Sequence, residues 1–177
     1  MEILSGEHLQ LRAPEPEDLD YLYQWENDPE IWQISNTLAP FSRFTLKSYI
    51  ESANLDIYVA KQLRLMIDLK GSSPLTIGTI DLFDFDPYHN RAGIGILIGD
   101  KKKRKQGFAE EALDLLINYC FQVIFLHQLY CNISSNNMAS ISLFQKKGFV
   151  KTGEKRDWLK TINGWENEDL YQLIRVD

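Results

Sequence analysis

Residues 101–113 read KKKRKQGFAEEAL: five consecutive basic side chains, a glycine, and then an apolar spacing that belongs to a helix. The preceding stretch, Ile94–Ile98, is apolar and strand-like, so the segment reads as strand, basic loop, helix. A helix beginning near Gly107 and Ala109 leaves its first backbone N–H groups without intrahelical acceptors and places the positive end of its dipole there. Gly107 permits close approach of the backbone, Ala109 keeps the first turn open, and Arg104 with the lysines surrounds the place with positive charge. That combination predicts an anion site. Phosphate or pyrophosphate fits it better than a carboxylate, since five cations exceed what one charge requires. A solvated lysine loop in front of an ordinary helix is the alternative.

The rest of the chain makes this cluster an exception. Its 177 residues carry a net charge of −6, with 44 % hydrophobic and 12 % aromatic content. Such a chain is expected to form one domain over residues 1–177, with material for one core. The acidic balance argues against a surface devoted to nucleic acid, and no aromatic residues interleave the lysine run. No apolar run approaches the ~18 residues of a membrane helix, and the N-terminus lacks signal-peptide character, so a cytoplasmic protein is expected. Cys120 and Cys131 lie in apolar surroundings without metal-ligand spacing, and are expected to be buried thiols. Neither of two nucleotide-loop patterns is met: GIGILIG has Ile98 where GxGxxG needs its last glycine, and no GxxxxGK(S/T) exists.

Outward from the basic loop, the spacing predicts a short first strand and then a helix carrying Leu19, Leu22 and Tyr23 that stops before Asp28-Pro29. A second helix is expected over Phe44–Ser52. Strands follow over Leu63–Asp68, Leu75–Phe85 and Arg91–Ile98 as an antiparallel meander. Ala109, Ala112, Leu113, Leu116, Cys120 and Val123 define a long helix ending near Leu126. A strand at Leu129–Ile133, a helix at Asn137–Lys147 closed by Gly148, and a last strand at Leu170–Ile174 complete an α+β or mixed α/β domain.

Two blocks then carry a resemblance. Arg104 to Ala109 matches the Q/R-x-x-G-x-G/A signature of the GNAT N-acetyltransferases, and NMASISLFQKKGF, residues 137–149, resembles their NxxSxxLYxKxGF element. With LRAPEPEDLDYLYQW and FLHQLYCNISSNN, the likeness covers nearly the whole chain and is closest to spermidine and ribosomal-protein N-terminal acetyltransferases. It implies a mixed central sheet, antiparallel in its first half, and acetyl-CoA as co-substrate. It also implies pantetheine along Leu97, Ile98 and Gly99, where the strand splays from its neighbour. Pyrophosphate would lie on Arg104, Lys105, Gln106, Gly107, Phe108 and Ala109, with Glu110 following. Asn137, Ser140, Phe144 and Lys146 would approach the cofactor from the second block. Each has a structural alternative: Asn137 as a helix cap, Leu97 and Ile98 as core, Lys146 as a solvated side chain.

The chain departs from the family in two places. Phe144 stands where relatives carry a tyrosine general acid, with Ser140, Ser142 and Tyr130 as candidate substitutes, and Gly93 stands where many carry a glutamate. For the missing base, Asp81 and Asp84 are candidates. On a regular strand their side chains point to opposite faces, so one at most would meet the acceptor. His89, in a turn, reads as exposed. The acidic run WENDPEIW, with Glu26, Asp28 and Glu30 between Trp25 and Trp32, suits a cationic amine beside an aromatic surface, or else a solvated helix end with core tryptophans. The expected acceptor is a small-molecule amine such as a polyamine or aminoglycoside, or a protein N-terminus, and the resemblance allows a dimer or larger ring. A CoA-binding sensor that has lost turnover is the competing reading.

Overall fold

The computed structural model describes residues 3–35, 37–53 and 55–176, with only the backbone of residues 33 and 34. Strand β1 (Leu9–Arg12) and a single 3-10 turn (Pro16–Asp18) lead into α1 (Leu19–Glu26), α2 (Pro29–Ser35), α3 (Arg43–Ser52) and α4 (Ile57–Ala60). The meander is β2 (Leu63–Leu69), β3 (Leu75–Asp86) and β4 (Arg91–Ile98), followed by a 3-10 turn (Lys101–Lys103) and α5 (Phe108–Gln122). Then come β5 (Gln128–Ser134), α6 (Met138–Lys146), β6 (Val150–Thr161) and β7 (Gly164–Ile174).

These strands form one seven-stranded sheet in the order β1-β2-β3-β4-β5-β7-β6. Every neighbouring pair is antiparallel except β4 and β5, which run parallel because α5 carries the chain back across the sheet. Strand β2 is apolar on both faces because both are covered. Leu65 and Ile67 join the cluster that includes Ala112, Leu113 and Leu116 of α5, while Met66 joins Leu22, Trp25, Ile31, Leu46 and Ile50 of α1, α2 and α3. At roughly 25 cal/mol per Å² of apolar area, these two clusters are the main drive for folding.

The expected strands and long helices are present within a few residues, but four features differ. Helix α5 ends at Gln122, not near Leu126. Pro29, which reads as a stop, instead opens α2, since a first-turn proline loses no intrahelical donor. The short α4 is capped by Asp56, whose carboxylate accepts from the Tyr58 N–H at 2.7 Å. Finally, β6 and the first half of β7 form a long hairpin. Its residues are mostly exposed, so the apolar alternation that would announce strands is missing. Cys120 and Cys131 are buried free thiols, both pushed up to about 12 by burial. No helix among the described residues is long and apolar enough to cross a membrane.

Candidate active site

Strands β4 and β5 pair only over Arg91–Gly93 against Gln128–Tyr130. Beyond that point they part, leaving the β5-facing backbone edge of Ile94–Ile98 without a ladder partner in a fork at the centre of the sheet. The fork opens toward the basic loop, which is built by side chains bonding to backbone. Asp100 caps the 3-10 turn by accepting from the Lys102 N–H at 2.9 Å, Arg104 Nε donates to the Ile98 carbonyl at 2.9 Å, and Gln106 Nε2 donates to the Lys102 carbonyl at 2.6 Å. Gly107 then takes φ +87° as the residue before α5, a left-handed conformation that disfavours side chains, and no side chain caps the helix. The first-turn N–H groups are therefore presented at the loop rather than satisfied from within it.

Several lysines around the loop are held in ion pairs. Lys101 pairs with Asp28 at 3.0 Å and Glu30 at 2.7 Å, which ties the loop to the start of α2. Lys146 pairs with Glu110 at 2.6 Å, and Lys147 bridges Glu110 and Asp114 at 3.0 and 2.8 Å. These two lysines hold the Glu110 carboxyl below its ordinary value. Asn137 caps α6, accepting from the Ser140 N–H at 3.1 Å. Phe144 is 4 % exposed and packs edge-on to Phe149, with ring centroids 5.0 Å apart. At the end of β4, Gly99 lies under Trp25: a Cβ there would fall 2.3 Å from the indole. The end of β4 and α1 are thus in direct contact.

On the sheet face toward α1 and α3 lies a cleft of about 160 Å³ lined by Tyr49, Gln62, Leu63, Arg64, Asp81, Leu82 and Phe83. Arg64 is its central charge. It donates to Asp81 through Nε at 2.6 Å and Nη2 at 3.3 Å, donates to Glu26 through Nη1 at 2.6 Å, and lies 5.2 Å from the Tyr49 ring centroid. Burial pushes the Asp81 carboxyl up, and Arg64 pulls it back in part. Sequence reasoning passed over Arg64. A lone cation inside a strand that carries five apolar residues was the available signal, because a charge there must find a partner.

The acidic run WENDPEIW is therefore mostly paired from within: Glu26 by Arg64, Asp28 and Glu30 by Lys101. Trp25 is core, 5 % exposed, and Trp32 donates through Nε1 to the Glu26 carbonyl at 2.6 Å. Helix-end and core roles account for both tryptophans.

The expectation for Asp81 and Asp84 also changes. Register slips between Phe83 and Asp86, leaving one extra residue on β3, and Asp84 takes φ +48° within this bulge. The slip breaks the alternation. The Asp84 carboxylate meets the Tyr130 hydroxyl at 3.3 Å, and the Tyr130 ring packs on Phe83, two residues along from Asp81 on the same face. Asp81 is engaged with Arg64, whereas Asp84 is exposed near the base of the fork. His89 lies in the turn beyond, where its ring meets Tyr88 edge-on.

A family profile described as "Acetyltransferase (GNAT) domain" matches residues 8–150. The chain is 33 % identical over 176 residues to the uncharacterized N-acetyltransferase p20 of Bacillus licheniformis, covering 99 % of this chain and 97 % of that one. It is 26 % identical over 153 residues to spermidine N(1)-acetyltransferase of Escherichia coli K12, covering 85 % and 77 %. The crystal structure of spermidine N-acetyltransferase from Vibrio cholerae, in complex with CoA and spermine, superposes with a TM-score of 0.85 over 96 % of both chains at 20 % identity. A match spanning most of the chain, together with a relative aligned nearly end to end, places the protein in the GNAT acetyltransferase family, and so among the acyltransferases.

Proposed function

We propose that the protein transfers the acetyl group of acetyl-CoA to a primary amine, of a polyamine such as spermidine or of a protein N-terminus, by direct attack in a ternary complex. The observation that carries this reading is the fork. It joins an unpaired strand edge to an uncapped, glycine-started helix, and Phe83, packed on Tyr130 at its base, also lines the cleft. The residues present fit the cofactor. The β4 edge through Leu97, Ile98 and Gly99 would take the pantetheine arm, and residues 104 to 109 with the start of α5 at Glu110 would take the pyrophosphate. Asn137, Ser140, Phe144 and Lys146 would flank it from α6, Lys146 after releasing Glu110. When bound, acetyl-CoA supplies an activated acyl group as a thioester.

The chain's own tasks are then three. Backbone N–H groups of the open β4 edge offer donors for a carbonyl oxygen that gains negative charge. The cleft orients the amine, with Asp81 held by Arg64 and the exposed Asp84 near the base of the fork as the final proton acceptor. An aliphatic amine of pKa roughly 10 arrives mostly protonated, so a proton acceptor near the fork is needed. The leaving thiolate, from a thiol of pKa about 8.5, departs without the acid that Phe144 cannot provide. Unpaired buried thiols suit a reducing cytoplasm. Self-association belongs to this reading, and light scattering tests it: a strictly monomeric mass at high concentration removes it.

The experiment is release of CoA thiol from acetyl-CoA, scanned over polyamines, aminoglycosides and N-terminal peptides. Turnover with one acceptor class is expected. Tight CoA binding with no turnover would instead support the sensor reading, which the buried Phe144 and the Phe83 ring beside Gly93 favour.

A further inference from the structure

Tyr130 is the last β5 residue paired to β4 before the strands part, directly opposite Gly93. Its half-buried side chain is fixed from two sides. Phe83 stands edge-on to it, with ring centroids 6.0 Å apart at 83°, and the Asp84 carboxylate accepts its hydroxyl proton at 3.3 Å. Phe83 can stand there only because residue 93 has no side chain, since a Cβ would fall 2.2 Å from the ring. Asp84 can reach the hydroxyl only because the bulge turns it toward β5, at a positive φ that few non-glycine residues adopt. Two local departures, a missing side chain and a strained backbone, thus converge on one phenol at the base of the fork.

We propose that Tyr130 is a catalytic residue of the transfer, passing a proton from the attacking amine to Asp84, which serves as its positioning residue. The inference rests on the acetyl-transfer reading above. With its proton directed at Asp84, the Tyr130 oxygen has only lone pairs to offer the acceptor. As the N–C bond forms, the nitrogen becomes acidic and its proton moves to Tyr130 Oη, while the Tyr130 proton moves to Asp84. The electron pair of the C–S bond leaves with sulfur as thiolate, and the exposed Asp84 returns the proton to water. Tyr130 ends the cycle neutral. Such a relay suits a phenol that resists ionisation, and burial, followed by Asp84, pushes Tyr130 up to about 12. The other charged groups facing it are Arg91 and Asp86, themselves paired at 3.3 Å, the first opposing that rise and the second adding to it.

The test compares wild type, Tyr130→Phe, Asp84→Asn and the double variant by CoA-thiol release, using the best amine from the acceptor scan. Asparagine tolerates the left-handed backbone, so Asp84→Asn preserves the bulge. Tyr130→Phe is expected to lower kcat by about 10²-fold while KM for acetyl-CoA stays within about twofold. The defect shrinks as pH rises from about 7 toward 10, where the amine arrives neutral and hydroxide takes its proton. Asp84→Asn loses part of the same activity, and the double variant is no worse than Tyr130→Phe alone, as for two members of one relay. A Tyr130→Phe kcat within about twofold of wild type, or a defect unchanged across that pH range, overturns the relay. Wild type that binds CoA yet acetylates no acceptor overturns the acetyl-transfer reading and the relay with it.

Discussion

Arg12 and Arg64 are each clamped between two carboxylates, one at the closed edge of the sheet and the other on the wall of the cleft. Arg12 donates to Asp18 at 2.6 and 2.8 Å, to Asp68 at 2.5 and 3.3 Å and to the Thr76 hydroxyl at 3.1 Å, and Asp18 and Asp68 are 2 % and 8 % exposed. Hydrogen bonds to Asp18 hold the Arg12 charge against the pull of burial. Arg64 makes the same kind of clamp with Asp81 and Glu26, but these line a cleft. Lys101 repeats the arrangement a third time at the surface, between Asp28 and Glu30. A cation between two carboxylates thus serves to lock strand β1 to the first turn, to shape the wall of a cleft, and to moor a loop. Solvent access separates the three roles, and charge count does not.

Replacing each cation tests that ordering. Arg12→Met leaves two sealed carboxylates without a counter-charge and is expected to lower stability by about 3–5 kcal/mol, read from urea denaturation. A loss no greater than that of Arg64→Met would remove the distinction. Arg64→Met is expected to lose about 1–3 kcal/mol, since its partners can draw on water from the cleft, and to shift KM for the amine more than KM for acetyl-CoA.

The same variant has a pH signature. Burial raises the folded-state pKa of Asp81 above its unfolded value, and without Arg64 nothing in the clamp opposes this. The folded protein then binds a proton more readily than the unfolded chain. Its stabilising effect is complete below the unfolded pKa and is lost as pH rises through the folded one. Urea stability of Arg64→Met should therefore rise on going from about pH 8 to about pH 5, narrowing its gap to wild type; the opposite trend would contradict the assignment of Asp81. Lys101→Ala, smallest of all, should leave the urea midpoint in place, as expected for a solvent-screened pair.

The basic loop and the starts of α5 and α6 were legible in the sequence because their determinants are local. A glycine between a basic turn and a helix, and an Asn-x-x-Ser start to the next helix, each act within one turn of chain. The cleft was not. Arg64 finds Asp81 17 positions away and Glu26 38 positions away, and only the sheet register and the docking of α1 bring them together. The adjacent Leu82 and Phe83 interrupt the alternation of DLFDFD, but the extra residue at Asp84 is located only by the register against β4. Hairpin β6–β7 escaped for a related reason, since its strand character comes from the pairing of its two strands with each other and of β7 with β5, and not from an apolar face.

The three-residue junction of β4 with β5 is also the shortest ladder in the sheet. On one side lie strands drawn from residues 9–98, on the other strands from 128–174, each set continuous along the chain. Such a boundary divides the sheet into two cooperative units, and its rupture breaks fewer backbone bonds than parting any other neighbours. Amide exchange should accordingly report a sub-global opening there, below the free energy of complete unfolding. A molecule seated in the fork touches both units and acts as a brace, slowing exchange on each side in proportion to its occupancy.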